Sequence, residues 1–242
     1  MNIKKSVHFT RITKDTNNIF NTINKTKTIN SDFEYKFVKN NDNILMGYFR
    51  YEPTVRFGNP KNTEGELIFD TKNKLLGFIR TQYKPSTESI VRKLNDTDGL
   101  QIDAPKYTQK AITDFYNTYG FNGYAVTFRK NIKTYDYDST FSYIEPEEKA
   151  KEKAMYDKFE TMSDELVNEI TNNLINDGYF INSMDIMLTE DGPRARFSSP
   201  LRITSIPEEE WDDKLLFIIL NRVREITTNS VKTIEEVLDK NN

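Results

Sequence analysis

The side chains in this sequence with catalytic potential are mainly carboxylates, because the chain has one histidine and no cysteine. His8 lies in the segment Val-His-Phe-Thr, and a catalytic triad built on it would need a nucleophile that no Gly-x-Ser-x-Gly motif supplies. A metal site with several histidines is excluded, as are disulfides and thiolate chemistry. We interpret His8 as an ordinary strand or surface residue.

Two pairs of aspartates have a spacing that suits a metal ion. Asp96 and Asp98 lie in Asn-Asp-Thr-Asp-Gly, where closely spaced oxygen ligands could hold Ca²⁺ or Mg²⁺. Asp136 and Asp138 alternate with tyrosines, so on a strand both carboxylates would point to one face and could share a metal. We favour a turn for the first pair and a solvated strand face for the second. A metal-dependent hydrolase that uses these four residues is the alternative.

A third acidic group is Asp70-Thr-Lys72, which follows Glu64 and Glu66. This acid-x-Lys spacing faintly resembles the core of metal-dependent nucleases, in which a carboxylate holds Mg²⁺ and the lysine lies near the attacking water. The same residues fall where a hairpin turn is predicted, and we favour the turn.

Anion binding has one candidate site. The nine glycines are scattered and form neither of the common phosphate-binding loops, so we expect no nucleotide cofactor, and no other cofactor is indicated. Arg194, Arg196 and Arg202 lie at even spacing on one predicted hairpin, where they would form a basic ridge able to contact nucleic acid. We favour the ordinary outward face of antiparallel strands whose aromatic residues lie inside. The formal net charge of −3 gives no polycationic signature for the whole chain.

Hydrophobic alternation predicts antiparallel strands in the first third of the chain. One hairpin is expected from Phe33 to Tyr51 around a turn at Asn40–Asn43, and a second from Glu66 to Arg80 around Thr71–Lys74. A helix is expected from Tyr107 to Tyr119, since apolar residues recur along one stripe and a glycine follows.

The second half combines long helical patterns with one hairpin. An amphipathic stripe from Met155 to Leu174 predicts one long helix that opens near Pro146, or two helices in series with Ser163 as the cap of the second. The turn signal Asp191-Gly192 predicts a hairpin. A capping box at Ser205 predicts a helix over Pro207–Ile226, and Ser230 a short final helix.

This order of elements predicts an α+β fold. It has antiparallel sheets or hairpins in the N-terminal third, and a long helix, a β-hairpin and a helix pair in the C-terminal half. We expect a mostly β region over residues 1–90 and an α+β region over residues 91–242. No linker marks a sharp boundary between these regions, and a single domain is also compatible with the pattern.

The weak catalytic candidates favour a non-enzymatic structural or interaction protein, a subunit of a larger assembly such as a phage particle. The predicted helix Pro207–Ile226 is apolar on several sides, which suits a partner interface. Its candidate contact residues are Trp211, Leu215, Phe217 and Ile218. The richness in Asn, Lys, Ile and Tyr is typical of AT-rich coding DNA, as in low-GC bacteria and their phages. The alternative is a phage or mobile-element protein that binds nucleic acid or inhibits a nucleic-acid enzyme.

The sequence also predicts where the protein is found. No segment approaches the roughly 18 consecutive apolar residues of a membrane span. The N-terminal residues lack the apolar stretch of a secretory signal. We therefore expect the host cytoplasm, or the virion if a phage encodes the protein, with protein partners or self-association and no membrane contact.

Overall fold

The structure is a computed structural model. It describes residues 4–13, 24–29, 33–41, 43–51, 63–81, 90–91, 95, 101–103, 105, 107–120, 126–130, 169–170, 172–174, 176, 179–190, 192–198 and 201–239. The predicted helix that opens near Pro146 lies largely outside these residues, although residues 169–170, 172–174 and 176 are helical.

The predicted α+β class is wrong, because the described residues form mostly antiparallel sheet with few helices. Strands account for 50% of them and helices for 31%. The strands are β1 (Lys4–Ile12), β2 (Lys27–Ile29), β3 (Phe33–Asn41), β4 (Ile44–Tyr51), β5 (Thr63–Asp70), β6 (Leu75–Thr81), β7 (Ile102–Asp103), β8 (Thr127–Lys130), β9 (Tyr179–Met187), β10 (Arg194–Ser198) and β11 (Arg202–Pro207). The helices are α1 (Gln109–Tyr119), α2 (Asp213–Asp239) and a 3₁₀ turn at Glu208–Glu210.

The chain forms two compact units. The first comprises Met1–Pro105 together with Pro200–Arg202, and the second Lys106–Ser199 together with Ile203–Asn242. The first unit contains an antiparallel sheet of strand order β2-β3-β4-β5-β6-β1, with β7 also paired to β1. Its β3–β4 and β5–β6 pairs confirm the two hairpins predicted from alternation.

One face of the β3–β5 strands is a buried aromatic cluster. Tyr35 pairs across the strands with Phe49, and Phe33 with Tyr51, so these rings share a face. The ring of Phe49 lies 6.0 Å from that of Phe33 and 6.0 Å from that of Phe78. Burial of such rings supplies a large part of the apolar stabilisation of this sheet.

Gly65 on β5 makes room for one of these rings. A Cβ added there would lie 2.6 Å from the ring of Phe49 and 2.5 Å from the carbonyl oxygen of Ile79. Because real Cβ atoms do not approach other atoms this closely, glycine is required for the Phe49 ring to lie this near the strand.

The second unit packs two helices on a sheet of strand order β8-β9-β10-β11. Phe197 and Met184 pair across β10 and β9 and are fully buried. The ring of Phe197 lies 5.9 Å from that of Phe115 on α1, so this face of the sheet carries the core. Helix α2 contributes a buried stripe at Leu216, Ile219, Leu220, Val223 and Ile226.

The predicted start of the C-terminal helix is wrong. Ser205 has a left-handed φ of 67° within β11, whereas an N-cap residue needs an extended backbone with negative φ. The helix begins instead at Asp213, where the backbone N–H of Leu215 donates to Asp212 Oδ1 at 2.6 Å. The carboxylate of Asp212 therefore caps the helix.

The predicted break between two C-terminal helices is also absent, because α2 continues from Asp213 to Asp239. At the expected end, Thr227 Oγ1 donates to the carbonyl oxygens of Val223 and Arg224, each at 3.1 Å. This bond keeps the threonine hydroxyl within the helix. No proline or glycine follows to stop the helix, so the polar run Thr-Thr-Asn-Ser does not end it.

Candidate functional site

The predicted basic ridge is distributed over two strands. Arg194 and Arg196 lie on β10, where they pair with Met187 and Asp185 of β9 and share one face of the strand. Arg202 does not continue that strand: it is the first residue of β11, because β10 ends at Ser198. Leu201, just before it, has a left-handed φ of 55°.

Arg196 is engaged by polar neighbours on β9. Its Nη2 donates to Ser183 Oγ at 3.1 Å, and its Nη1 lies 3.9 Å from Asp185 Oδ1. Ser183 Oγ is in turn 2.8 Å from the hydroxyl of Thr127 on β8. The side chains of Arg196 and Asp185 are only 35% and 17% exposed. One guanidinium nitrogen therefore donates a hydrogen bond inside the unit, and a second lies near a carboxylate of the same unit.

Burial raises the pKa of Asp185, and the charges of Arg196 and Arg194 lower it in part. The net direction is upward, so desolvation of the carboxylate outweighs the attraction of two cations. The N···O distance between Arg196 and Asp185 is 3.9 Å, which is long for a salt bridge. The attraction therefore does not repay the cost of burying the carboxylate. The cluster is a polar network of the fold with one exposed member, Arg194.

The predicted interface residues are covered to different degrees. Leu215 is buried within the second unit, while Trp211, Phe217 and Ile218 are half-buried. The burial of Leu215 reflects its place on the core stripe of α2 rather than an open surface.

The metal site suggested by the paired aspartates stays a prediction. Asp96, Asp98, Asp136 and Asp138 lie outside the described residues. Within those residues, no group of three or more His, Asp or Glu side chains is placed to hold a metal ion.

The acid-x-Lys segment forms the predicted hairpin turn. Asp70 is fully buried, and it accepts hydrogen bonds from the backbone N–H of Asn73 at 3.0 Å and from its side-chain amide at 2.6 Å. Glu66 instead pairs with Lys5 at 3.2 Å, and Glu64 lies 4.0 Å from Arg50. Each of the three carboxylates has its own structural partner. The nuclease-like spacing in the sequence therefore does not bring them together around a shared metal position. His8 is buried on β1 opposite Phe78.

A polar cleft between α1 and α2 was not anticipated from the sequence. It has a volume of about 50 Å³, and Tyr119 and Glu225 line it. Arg222 lies over the Tyr119 ring, 3.8 Å from the ring centroid, and donates to its hydroxyl and to Glu225 Oε1. Burial and the neighbouring Glu225 raise the pKa of Tyr119, while Arg222 lowers it. The cleft has room for no more than a few water molecules, too little for a substrate.

The sequence prediction also missed a strand surface of the first unit. The face of β3–β5 opposite the aromatic cluster carries charges of both signs around exposed apolar side chains. We call it the mixed-charge surface, formed by Glu34, Lys36, Val38, Tyr48, Arg50, Glu64 and Glu66. Tyr48 is 45% exposed and Val38, at a β-bulge, is 43% exposed. They are the large apolar residues that stay exposed among those the structure describes.

The register fixes the arrangement of this surface. Tyr48 pairs with Lys36 on one side and Glu66 on the other, and Arg50 pairs with Glu34 and Glu64. Farther along the same face Ile68 is fully buried, so the open part is limited to one end of the three strands. The alternation of Glu34 and Lys36 with buried aromatics was the sequence signal for this face.

No protein-family model matches this chain, and no curated protein matches it. Among the described helices, none is both long enough and apolar enough to cross a membrane.

Proposed function

We propose that this protein is non-enzymatic and acts by contacting other protein chains, as a subunit of a larger assembly. A phage particle is the setting that its composition favours. The observation that carries the proposal is the exposed Tyr48 at the centre of the mixed-charge surface, with the exposed Val38 at the β-bulge of the neighbouring strand. An exposed tyrosine offers a contact partner both apolar area and a hydroxyl, and tyrosine is enriched at protein interfaces.

The charge of this surface favours a protein partner over nucleic acid. The surface carries Lys36 and Arg50 against Glu34, Glu64 and Glu66. Lys5, paired with Glu66, adds a further positive charge at its edge. Binding to a phosphate backbone requires an excess of cations on one face, which this surface does not have. Interspersed charges of both signs suit a polar rim around an aromatic contact.

A nucleic-acid contact through β10 is the second candidate function. It is favoured by the exposed Arg194, which shares a strand face with Arg196. Arg196 is bonded to Ser183 and lies near Asp185, so it would have to exchange those partners for a phosphate. If this surface binds nucleic acid, a double Arg194→Ala/Arg196→Ala variant lowers the salt dependence of binding, because fewer phosphates are neutralised.

Site-specific photo-crosslinking in the natural host tests the first proposal. A benzophenone amino acid replaces Tyr48 in the full chain, and a matched variant carries it at Arg194. We expect a discrete covalent adduct with a protein from position 48 and much less from position 194. A variant that folds and incorporates the crosslinker, yet gives no protein adduct from position 48, contradicts the proposal.

A further inference from the structure

Arg194, Arg196 and Asp185 form a charge cluster on one face of the β9–β10 pair, and we call these three residues the β10 cluster. Phe197 lies on the opposite face, against Phe115 of helix α1. The two arginines and the ionised aspartate together carry a net charge of +1, which becomes +2 when the aspartate is protonated. The charge that this face offers a ligand therefore depends on one proton.

The guanidinium of Arg196 keeps donors for a ligand. An arginine side chain has five N–H donors in a planar fork. In the described part of the chain, this side chain donates one hydrogen bond, from Nη2 to Ser183 Oγ, and it is 35% exposed. Arg194 lies two residues away on the same face and is exposed. Guanidinium groups placed in this way suit a phosphate or sulfate group, whose oxygens accept paired N–H donors.

The carboxylate of Asp185 lies where it would repel such an anion. It pairs across the strands with Arg196, and its Oδ1 lies 3.9 Å from Nη1. None of the described residues donates a hydrogen bond to it. Its side chain is 17% exposed, and burial raises its pKa. A carboxylate in this environment takes up a proton more readily than an exposed one.

The charges that act on Asp185 come from β10. Arg196 and Arg194 both lower its pKa, against the larger effect of burial. On the β8 side, the nearest described position of the same face is the uncharged Thr127, which pairs with Ser183. Helix α1 packs on the opposite face of the sheet. Among the described residues, the two arginines are therefore the charged groups that a bound anion would share with Asp185.

We infer that the β10 cluster binds a phosphate-like oxyanion and that proton uptake by Asp185 opens this site. At neutral pH the ionised carboxylate attracts Arg196 and repels an incoming anion. Once it is protonated, both arginines act on the ligand without a competing negative charge. The affinity is therefore highest when Asp185 is protonated and falls as the pH rises through its raised pKa. The site is independent of the mixed-charge surface, and it adds an acid dependence to the second candidate function.

Calorimetric titration of the full chain with sulfate tests this site. Sulfate keeps its charge over the range in which Asp185 titrates, whereas phosphate does not. We expect wild type to bind sulfate about tenfold more tightly in mild acid than at neutral pH, because one like charge near the ligand is removed. Asp185→Asn should bind at neutral pH as tightly as wild type does in acid, with no pH dependence. Adding Arg194→Gln to that variant should lower the affinity about tenfold.

Glu64→Gln is the matched control, since it removes a carboxylate 4.0 Å from Arg50 in the other unit and should leave sulfate binding unaltered. Circular dichroism verifies the fold of each variant. The inference is overturned if Asp185→Asn binds sulfate no more tightly than wild type at neutral pH, or if Glu64→Gln gives the same gain.

The source of the anion is tested with the Asp185→Asn variant at neutral pH. Inorganic phosphate and a short oligothymidylate are compared as ligands. Tighter binding of the oligonucleotide supports a site for the nucleic-acid backbone, and tighter binding of phosphate supports a site for the free anion. If neither binds, the inference is overturned. Crosslinking from position 48 does not depend on any of these results, so the proposed function stands or fails separately.

Discussion

Two strand surfaces of this protein carry arginines beside acidic side chains, and they differ in what surrounds the charges. On β10, Arg196 bonds to Ser183, and the nearby carboxylate of Asp185 is 17% exposed. On β4, Arg50 lies 4.0 Å from a Glu64 side chain that is 75% exposed, next to an open Tyr48. The first arrangement uses its charges inside the fold, and the second leaves them at the surface. Arginine spacing alone does not distinguish these cases, whereas the burial of the neighbours does.

The largest expected effect separates the two faces of β4 at adjacent residues. Phe49→Ala removes a buried ring that contacts Phe33 and Phe78, and we expect it to lower the free energy of unfolding by about 3–5 kcal/mol. Tyr48→Ala, on the exposed side, should change it by less than about 0.5 kcal/mol. Urea unfolding measures both. A large loss of unfolding free energy for Tyr48→Ala would show that the Tyr48 side chain stabilises the fold. It would then not be available as a contact surface.

Gly65→Ala tests the close approach beneath the same aromatic cluster. The added methyl group would meet Phe49 and the Ile79 carbonyl oxygen, and overpacking of this kind costs about 1–3 kcal/mol. The neighbouring exposed Glu64→Ala is the control and should change stability little. Equal stability of the two variants in thermal unfolding would show that the ring does not press on the strand.

The hairpins and the first helix could be predicted from the sequence because their patterns are local. Phe33, Tyr35 and Phe37 alternate with charged residues, and the helix α1 stripe runs between a capping Thr108 and Gly120. The C-terminal helix start could not be predicted in the same way. Ser205 has the residues of a capping box around it, but the adjacent Ile206 is buried in the sheet core, and that tertiary contact overrides the local signal.

The candidate sites were harder to predict than the elements. The alternation of residues on β4 places Tyr48 and the buried Phe49 on opposite faces of the sheet. It does not show whether other segments cover the face that carries Tyr48. Ile68 lies on the same face of the sheet as Tyr48 and is fully buried. Arg202 does not lie on the same strand as Arg194 and Arg196, because β10 ends at Ser198. The even spacing of the three arginines does not reveal this break. The exposure of a side chain depends on segments that are distant in the sequence, so a local pattern does not predict it.

Removing Arg196 tests the other half of the comparison. Arg196→Ala takes a donor from Ser183 and leaves the half-buried Asp185 without its nearest cation, so we expect a loss of about 1–3 kcal/mol. Arg194→Ala removes an exposed arginine from the same face and should cost less than about 0.5 kcal/mol. Chemical unfolding of both variants decides the point. If the two losses are similar, Arg196 is not held by the fold in the way its contacts indicate.

The smallest expected effect is a pH dependence at Asp185. Its pKa in the folded protein is raised above the ordinary value of 3.8, so the folded state binds this proton more tightly than the unfolded state. The contribution of Asp185 to stability is therefore greatest when it is protonated and falls as the pH rises from 3.8 through the raised value. Asp185→Asn stays neutral, so its stability relative to wild type should improve across that interval in urea unfolding. A relative stability that worsens with rising pH would mean that the pKa of Asp185 in the folded protein lies below its ordinary value.

The most direct test of the central claim compares one methionine on each surface by oxidation footprinting. Met46 lies two residues from Tyr48 on β4, and Met187 pairs with Arg194, and both are half-buried. The measurement is the rate of peroxide oxidation at each residue, in the natural host cell and in dilute purified protein. If proteins bind the mixed-charge surface, oxidation of Met46 slows in the cell relative to oxidation of Met187. Protection of Met187 with no change at Met46 would contradict the account and move the contact to the arginines of β10.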